Sequence, residues 1–127
     1  MENLLLVMAG GATGAAARYL LGVQAFRSLG SAWPYGTGIA NVSGGLLMGL
    51  LAGYLAHRGG ADQERWRLLL GVGVLGGFTT FSAFSLETAL MLQRRDYGQA
   101  FTYITGSVAL SIAALFAGLM LARKVFA

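Results

Sequence analysis

Ten consecutive residues inside one apolar stretch hold most of the chemistry this chain has to offer. They read Gly76-Gly77-Phe78-Thr79-Thr80-Phe81-Ser82-Ala83-Phe84-Ser85. A glycine pair followed by two β-branched threonines is a poor helix interior, since each glycine costs about 1 kcal/mol relative to alanine. The pattern predicts a break around Gly76 to Thr80, near the middle of a long apolar span. Carbonyls exposed by such a break are cation ligands, and half-helix ends offer partial charges to ions. A plain glycine kink for packing is the alternative. After the break, Phe81 and Phe84 are three residues apart and share a helix face with Thr88. An aromatic ring has a negative face and a positive edge, so two ring edges can contact an anion weakly without the full charge that would trap it. Thr79, Thr80, Ser82 and Ser85 add hydroxyl donors nearby. Ordinary packing in a core or against lipid would use the same two phenylalanines.

Other polar groups sit at helical spacing. Tyr103, Ser107 and Ser111 recur every four residues and stack on one face of the last apolar run. Such a row can replace the water shell of a small anion, or its serines can bond back to the i−4 carbonyl and do nothing else. Asn41 puts an amide early in the second run, after Pro34, Gly36 and Thr37, and an amide inside a membrane usually has a partner or a ligand. Arg18 and Glu87 are ionisable residues within apolar runs, and both read as structural charges. Arg18 either snorkels or pairs, and Glu87 is shallow enough to reach headgroups or to bind Arg18. With no cysteine and a single histidine, His57, the chain has no disulfide, no thiolate chemistry and almost nothing for a metal cluster or a Ser/His pair. An enzyme has no support.

The elements that must position these residues follow from composition. Hydrophobic residues make up 56% of 127 and charged residues only 11%, against about 25% charged in a soluble domain. Nine Lys/Arg and five Asp/Glu cannot coat a water-soluble monomer of this size. Four apolar runs stand out, about 4–26, 35–56, 66–93 and 99–122. Each is long enough to cross a hydrocarbon core of about 30 Å. The first lacks the short apolar core and cleavage site of a leader and is read as a span. The expectation is an all-α membrane protein, one domain of four transmembrane helices with the third broken. The +4 net charge comes without a basic run interleaved with aromatics, so nucleic acid is not an expected partner.

Arg58, Arg65, Arg67, Arg123 and Lys124 fall on one side of this layout, and Arg27, Arg94 and Arg95 on the other. That excess is too small to fix one orientation, so an antiparallel homodimer is open, as is a single orientation. Glycine supplies 20 of 127 residues, more than double the usual share of about 7%. Gly45, Gly49 and Gly53 line one face of the second run, and Gly10 and Gly14 repeat the spacing in the first. Glycine stripes let membrane helices approach closely, within or between subunits.

The core decapeptide resembles that of the Fluc (CrcB) fluoride channels of microbes. Gly10-Gly11-x-x-Gly14 with Arg18-Tyr19, Pro34-x-Gly36-Thr37 leading to Asn41, and Glu87 after the core extend the resemblance over essentially the whole chain. Ala83 stands where the family commonly has threonine, and Tyr19 where tryptophan is usual. The resemblance implies a dual-topology homodimer with two antiparallel pores that exports fluoride passively from the cytoplasm. It also implies a structural sodium ion at the dimer centre, held by the backbone carbonyls of Gly76 and Thr79 from each subunit. Phe81 and Phe84 would supply ring-edge contacts to fluoride, Asn41 a pore-lining amide, and Tyr103, Ser107 and Ser111 a polar track. A compact chain of this kind suits a prokaryotic inner membrane. The rival reading is a small multidrug-type proton-coupled antiporter, also a four-helix dual-topology dimer, whose chemistry would fall to Glu87.

Overall fold

The computed structural model describes residues 1–126. Four of its helices are long and apolar enough to cross a membrane, and among the described residues there is no strand. The first is α1 (Glu2–Leu29) and the second α2 (Tyr35–Arg58). The third span, Gln63–Gln93, is assembled from pieces: α3 (Gln63–Trp66), a π-helical stretch Arg67–Leu75, α4 (Gly76–Phe78) and α5 (Phe81–Gln93). The last is α6 (Tyr97–Phe126). These are the spans of a multi-pass membrane protein. Each but the third runs past both ends or the C-terminal end of its apolar run, because helical hydrogen bonding continues into polar residues such as Arg27 and Arg123.

Burial is the reverse of a soluble fold. Leu4, Leu20, Leu110, Phe116 and Met120 are exposed, whereas Gly10, Gly14, Gly44, Gly49 and Gly118 are buried. Lipid is as apolar as leucine, so the helices associate by close packing of small residues. α2 lies along α6 with backbones nearly touching. A Cβ added at Gly45 would come 2.7 Å from the Ser111 carbonyl oxygen, one at Gly49 would collide with the Leu115 carbonyl, and one at Gly118 with that of Leu46. α1 packs on the third span the same way, with Gly10 against Leu69 and Gly14 against Val74. The ends are tied by Arg65 to Glu2 at 2.8 Å and by Gln99 Nε2 donating to the Ala32 carbonyl at 2.7 Å.

Within the third span the glycine pair stays helical (Gly76 φ −62°, ψ −38°), and the threonines are the extended residues. Thr79 has φ −86° and ψ 158°, and Thr80 φ −152° and ψ 121°. β-Branching disfavours the helical state and favours extended backbone, which accounts for the order. The preceding π-helical turns widen the helix where Gly71 and Gly73 are buried.

Candidate functional site

Two extended residues in mid-span leave backbone groups without helical partners, and in lipid each such group must be satisfied by protein. Here side chains do it. Asn41, on α2, donates from Nδ2 to the Thr80 carbonyl at 3.0 Å and accepts the Thr80 amide on Oδ1 at 2.8 Å. The Thr80 hydroxyl then caps α5, accepting from the Ala83 amide at 3.1 Å, the usual role of threonine at a helix start. The amide and the hydroxyl of Thr79 both donate to the Leu75 carbonyl, at 3.0 and 2.9 Å. Arg18, half-buried on α1, donates from Nε to the Gly77 carbonyl at 3.2 Å. Of the two expectations for this arginine, snorkelling or pairing, the structure shows pairing, with a backbone carbonyl at the interruption.

A cavity of about 330 Å³ opens beside these bonds, lined by Asn41, Thr79, Thr80, Phe81, Phe84, Ser107, Val108, Ser111 and Ile112. Residues from three spans meet there. Phe84 is buried with its ring centroid 5.1 Å from that of Tyr103, and Phe81 stands 5.6 Å from Phe84 but is 78% exposed. The two phenylalanines share the cavity without sharing an environment. Ser43, Ser85 and Thr88 bond back to their i−4 carbonyls. Ser107 and Ser111 have no intrachain hydrogen bond among the described residues and keep their hydroxyls for the cavity. Ser82 lies outside it, exposed and within 3.2 Å of the Thr80 hydroxyl.

Tyr103 does not line this cavity and instead shares with Ser107 an apolar groove between α2 and α6. Its hydroxyl donates to Glu87 Oε1 at 2.8 Å, while Thr37 donates to Glu87 Oε2 at 2.8 Å. The carboxylate therefore joins α2, α5 and α6, and it meets neither Arg18 nor the surface alone. A second cavity of about 340 Å³ leads to it from the loop end, past Trp33, Thr37 and Arg94. Thr37 and Trp33 escaped the sequence reading as site residues. Thr37 lies four residues before Asn41, on the same helix face, a signal that was available. Trp33 packs against the buried cluster of Phe84, Met91, Ala100 and Tyr103, and nothing in its sequence context announced it.

Among the described residues no group of three His, Asp or Glu side chains converges on a point. Two backbone carbonyls at the interruption lack their helical donors. The Thr80 amide, which a continuous helix would give to the Gly76 carbonyl, goes to Asn41. The Ala83 amide, which would serve the Thr79 carbonyl, goes to Thr80 Oγ1.

Four glycine-packed spans around a mid-span cavity of hydroxyls, an amide and aromatic rings define a small polytopic membrane protein. The family model described as CrcB-like protein, Camphor Resistance (CrcB), matches residues 5–119, and the chain belongs to that family. A relative named Fluoride-specific ion channel FluC, from Phenylobacterium zucineum, is 76% identical over 127 residues, all of both chains. Another of that name from a Caulobacter species is 71% identical over 126 residues, 99% of this chain and 98% of the relative. Fluoride-specific ion channel FluC 2 of Nitrobacter hamburgensis is 53% identical over 121 residues, covering 95% and 97%. The antiporter reading falls here. Membership points elsewhere, and Glu87, its only candidate for proton exchange, is already bonded to Thr37 and Tyr103.

Proposed function

We propose that this chain is a fluoride-selective channel that lets cytoplasmic fluoride leave down its electrochemical gradient and so relieves fluoride toxicity. The observation that carries the reading is the cavity in which Phe81, Phe84, the free hydroxyls of Ser107 and Ser111, and the Asn41 amide face one space. The names of the relatives support it. A small anion moving through a narrow path must exchange its water for protein groups strong enough to admit it and weak enough to release it. Serine hydroxyls and ring edges meet that condition, because none bears a full charge. Asn41 has one amide hydrogen left for the ion after its bond to Thr80, and the Thr80 and Ser82 hydroxyls border the entry. Arg18 and Glu87 hold structure around the path.

The working unit in this reading is an antiparallel homodimer in the inner membrane of a prokaryote, with lipid around it. An aromatic ring 78% exposed at mid-span beside an open cavity supports a second copy closing the path. The nearly even distribution of positive charge supports insertion both ways. A sodium ion at the dimer centre would be held by the Gly76 and Thr79 carbonyls of each subunit, whose helical donors are engaged elsewhere. Bound there, sodium lends positive potential to the neighbouring anion paths. The chain leaves the helix at Thr79 and Thr80, and that is what frees those carbonyls of their helical donors.

The test is ion efflux from liposomes holding the purified protein, with fluoride and chloride gradients run in parallel. Fast electrogenic fluoride efflux with negligible chloride efflux is expected. Equal flux of both halides, or none from vesicles shown to contain folded dimer, would overturn the reading.

A further inference from the structure

A helix running unbroken through residues 76–83 would spend the Thr80 amide on the Gly76 carbonyl and the Ala83 amide on the Thr79 carbonyl. Two side chains intercept those donors. Asn41 Oδ1 takes the Thr80 amide at 2.8 Å, and Thr80 Oγ1 takes the Ala83 amide at 3.1 Å. We propose that Asn41 and Thr80 are positioning residues for the central cation, which create its site by drawing away the amides that would otherwise occupy the Gly76 and Thr79 carbonyls. The inference rests on the sodium reading given above and assigns the side chains on which that site depends.

The neighbouring carbonyls are treated in the opposite way. Gly77 receives the Arg18 guanidinium at 3.2 Å, and Thr80 receives Asn41 Nδ2 at 3.0 Å. The Gly77 carbonyl, accepting from a charged donor, is a poor ligand for a second cation, since like charges would face the same oxygen. The Thr80 carbonyl has a lone pair committed to the neutral Asn41 amide. The side chains thus sort the carbonyls: those of Gly77 and Thr80 are filled, and those of Gly76 and Thr79 are vacated. Thr79 is also fixed from behind, its amide and hydroxyl both held by the Leu75 carbonyl, so its own carbonyl can turn outward without a loss of local order. Gly76 is exposed and Thr79 half-buried. Asn41 in this account serves two ends, its acceptor oxygen making the cation site and its remaining amide hydrogen facing the anion cavity.

The experiment measures the melting temperature of the full-length purified protein as sodium replaces N-methylglucamine, for wild type and three variants. Thr80→Val keeps the shape and removes the acceptor, Thr80→Ser restores it, and Asn41→Asp keeps an acceptor oxygen while losing the amide donor. Wild type should gain stability with sodium. Thr80→Val should need about tenfold more sodium for the same gain, the scale of one lost hydrogen bond, and Thr80→Ser should titrate like wild type. Asn41→Asp should need no more sodium than wild type even though its fluoride efflux falls. Thr80→Val titrating with wild type, or Asn41→Asp needing about tenfold more sodium, overturns the assignment while leaving the sodium reading intact. A wild type indifferent to sodium overturns both. If Thr80→Val does not fold, Asn41→Asp decides.

Discussion

One face of α2 meets two different surroundings. Thr37, Asn41, Gly45, Gly49 and Gly53 recur every four residues, and a row at that spacing winds by about 40° per step around a helix of 3.6 residues per turn. Its first two members face the third span and donate to Glu87 and Thr80. Its last three have turned to α6, where the Ser111 and Leu115 backbones and the Ala122 methyl leave no room for a side chain. Within one helical turn, between Asn41 and Gly45, the face changes from holding groups by hydrogen bonds to admitting a backbone by having no side chain. The lesson is that a membrane protein this small uses one surface for both tasks. A substitution on it disturbs packing or chemistry according to which neighbour the winding has brought round.

The contrast can be tested by substitution along that row and its partners. Gly49→Leu should have the largest effect, since its side chain would displace the Leu115 carbonyl and α6 with it. A loss of about 3 kcal/mol or more is expected, read as the yield of folded protein and its melting temperature. Phe81→Ile should cut fluoride efflux by about tenfold or more, a transport barrier raised by the loss of one aromatic contact, with the melting temperature and dimer unchanged. Wild-type efflux in that variant would remove Phe81 from the mechanism. Tyr103→Phe removes the hydroxyl donated to Glu87 but keeps the ring beside Phe84. It should lower stability by about 1.5 kcal/mol, and thermal unfolding against wild type measures it. Gly106→Ala is the control on the packing side, because a Cβ there meets nothing within 4 Å. Its stability should hold or rise by up to about 1 kcal/mol, and a loss would mean that a second copy covers this glycine.

The parts of the molecule legible in the sequence were those written in local spacing. The four spans follow from apolar runs, and the Gly45, Gly49 and Gly53 face from a repeat of four. The gathering of Phe81, Phe84, Ser107 and Ser111 on one cavity follows from hydroxyls and rings crowding two spans. What escaped was set by partners distant in the chain. The Arg18 bond to Gly77 joins residues 59 apart, and Thr37 reaches Glu87 across 50. Periodicity within a single helix carries no record of which neighbour its face will meet. Tyr103 and Ser107 do line one groove, as their spacing predicts, but the bond of the Tyr103 hydroxyl to Glu87 is set by a partner 16 residues away that the spacing does not record. The π-helical stretch left no trace either, since a bond shifted by one residue changes geometry without requiring a residue type.

That stretch bears on how the chain tolerates changes of length. Each of its bonds closes over five residues in place of four, so Arg67–Leu75 stores slack between the loop and the glycine pair. Deleting one residue there would let the stretch tighten to α-helical bonding, which absorbs the loss and leaves Phe81 and Phe84 facing Ser107 and Ser111. A deletion after Leu75, where no such slack exists, would instead turn α5 by about 100° and carry both rings off the cavity. A relative one residue shorter between Trp66 and Gly76 therefore keeps the cavity, whereas one shorter just beyond it does not.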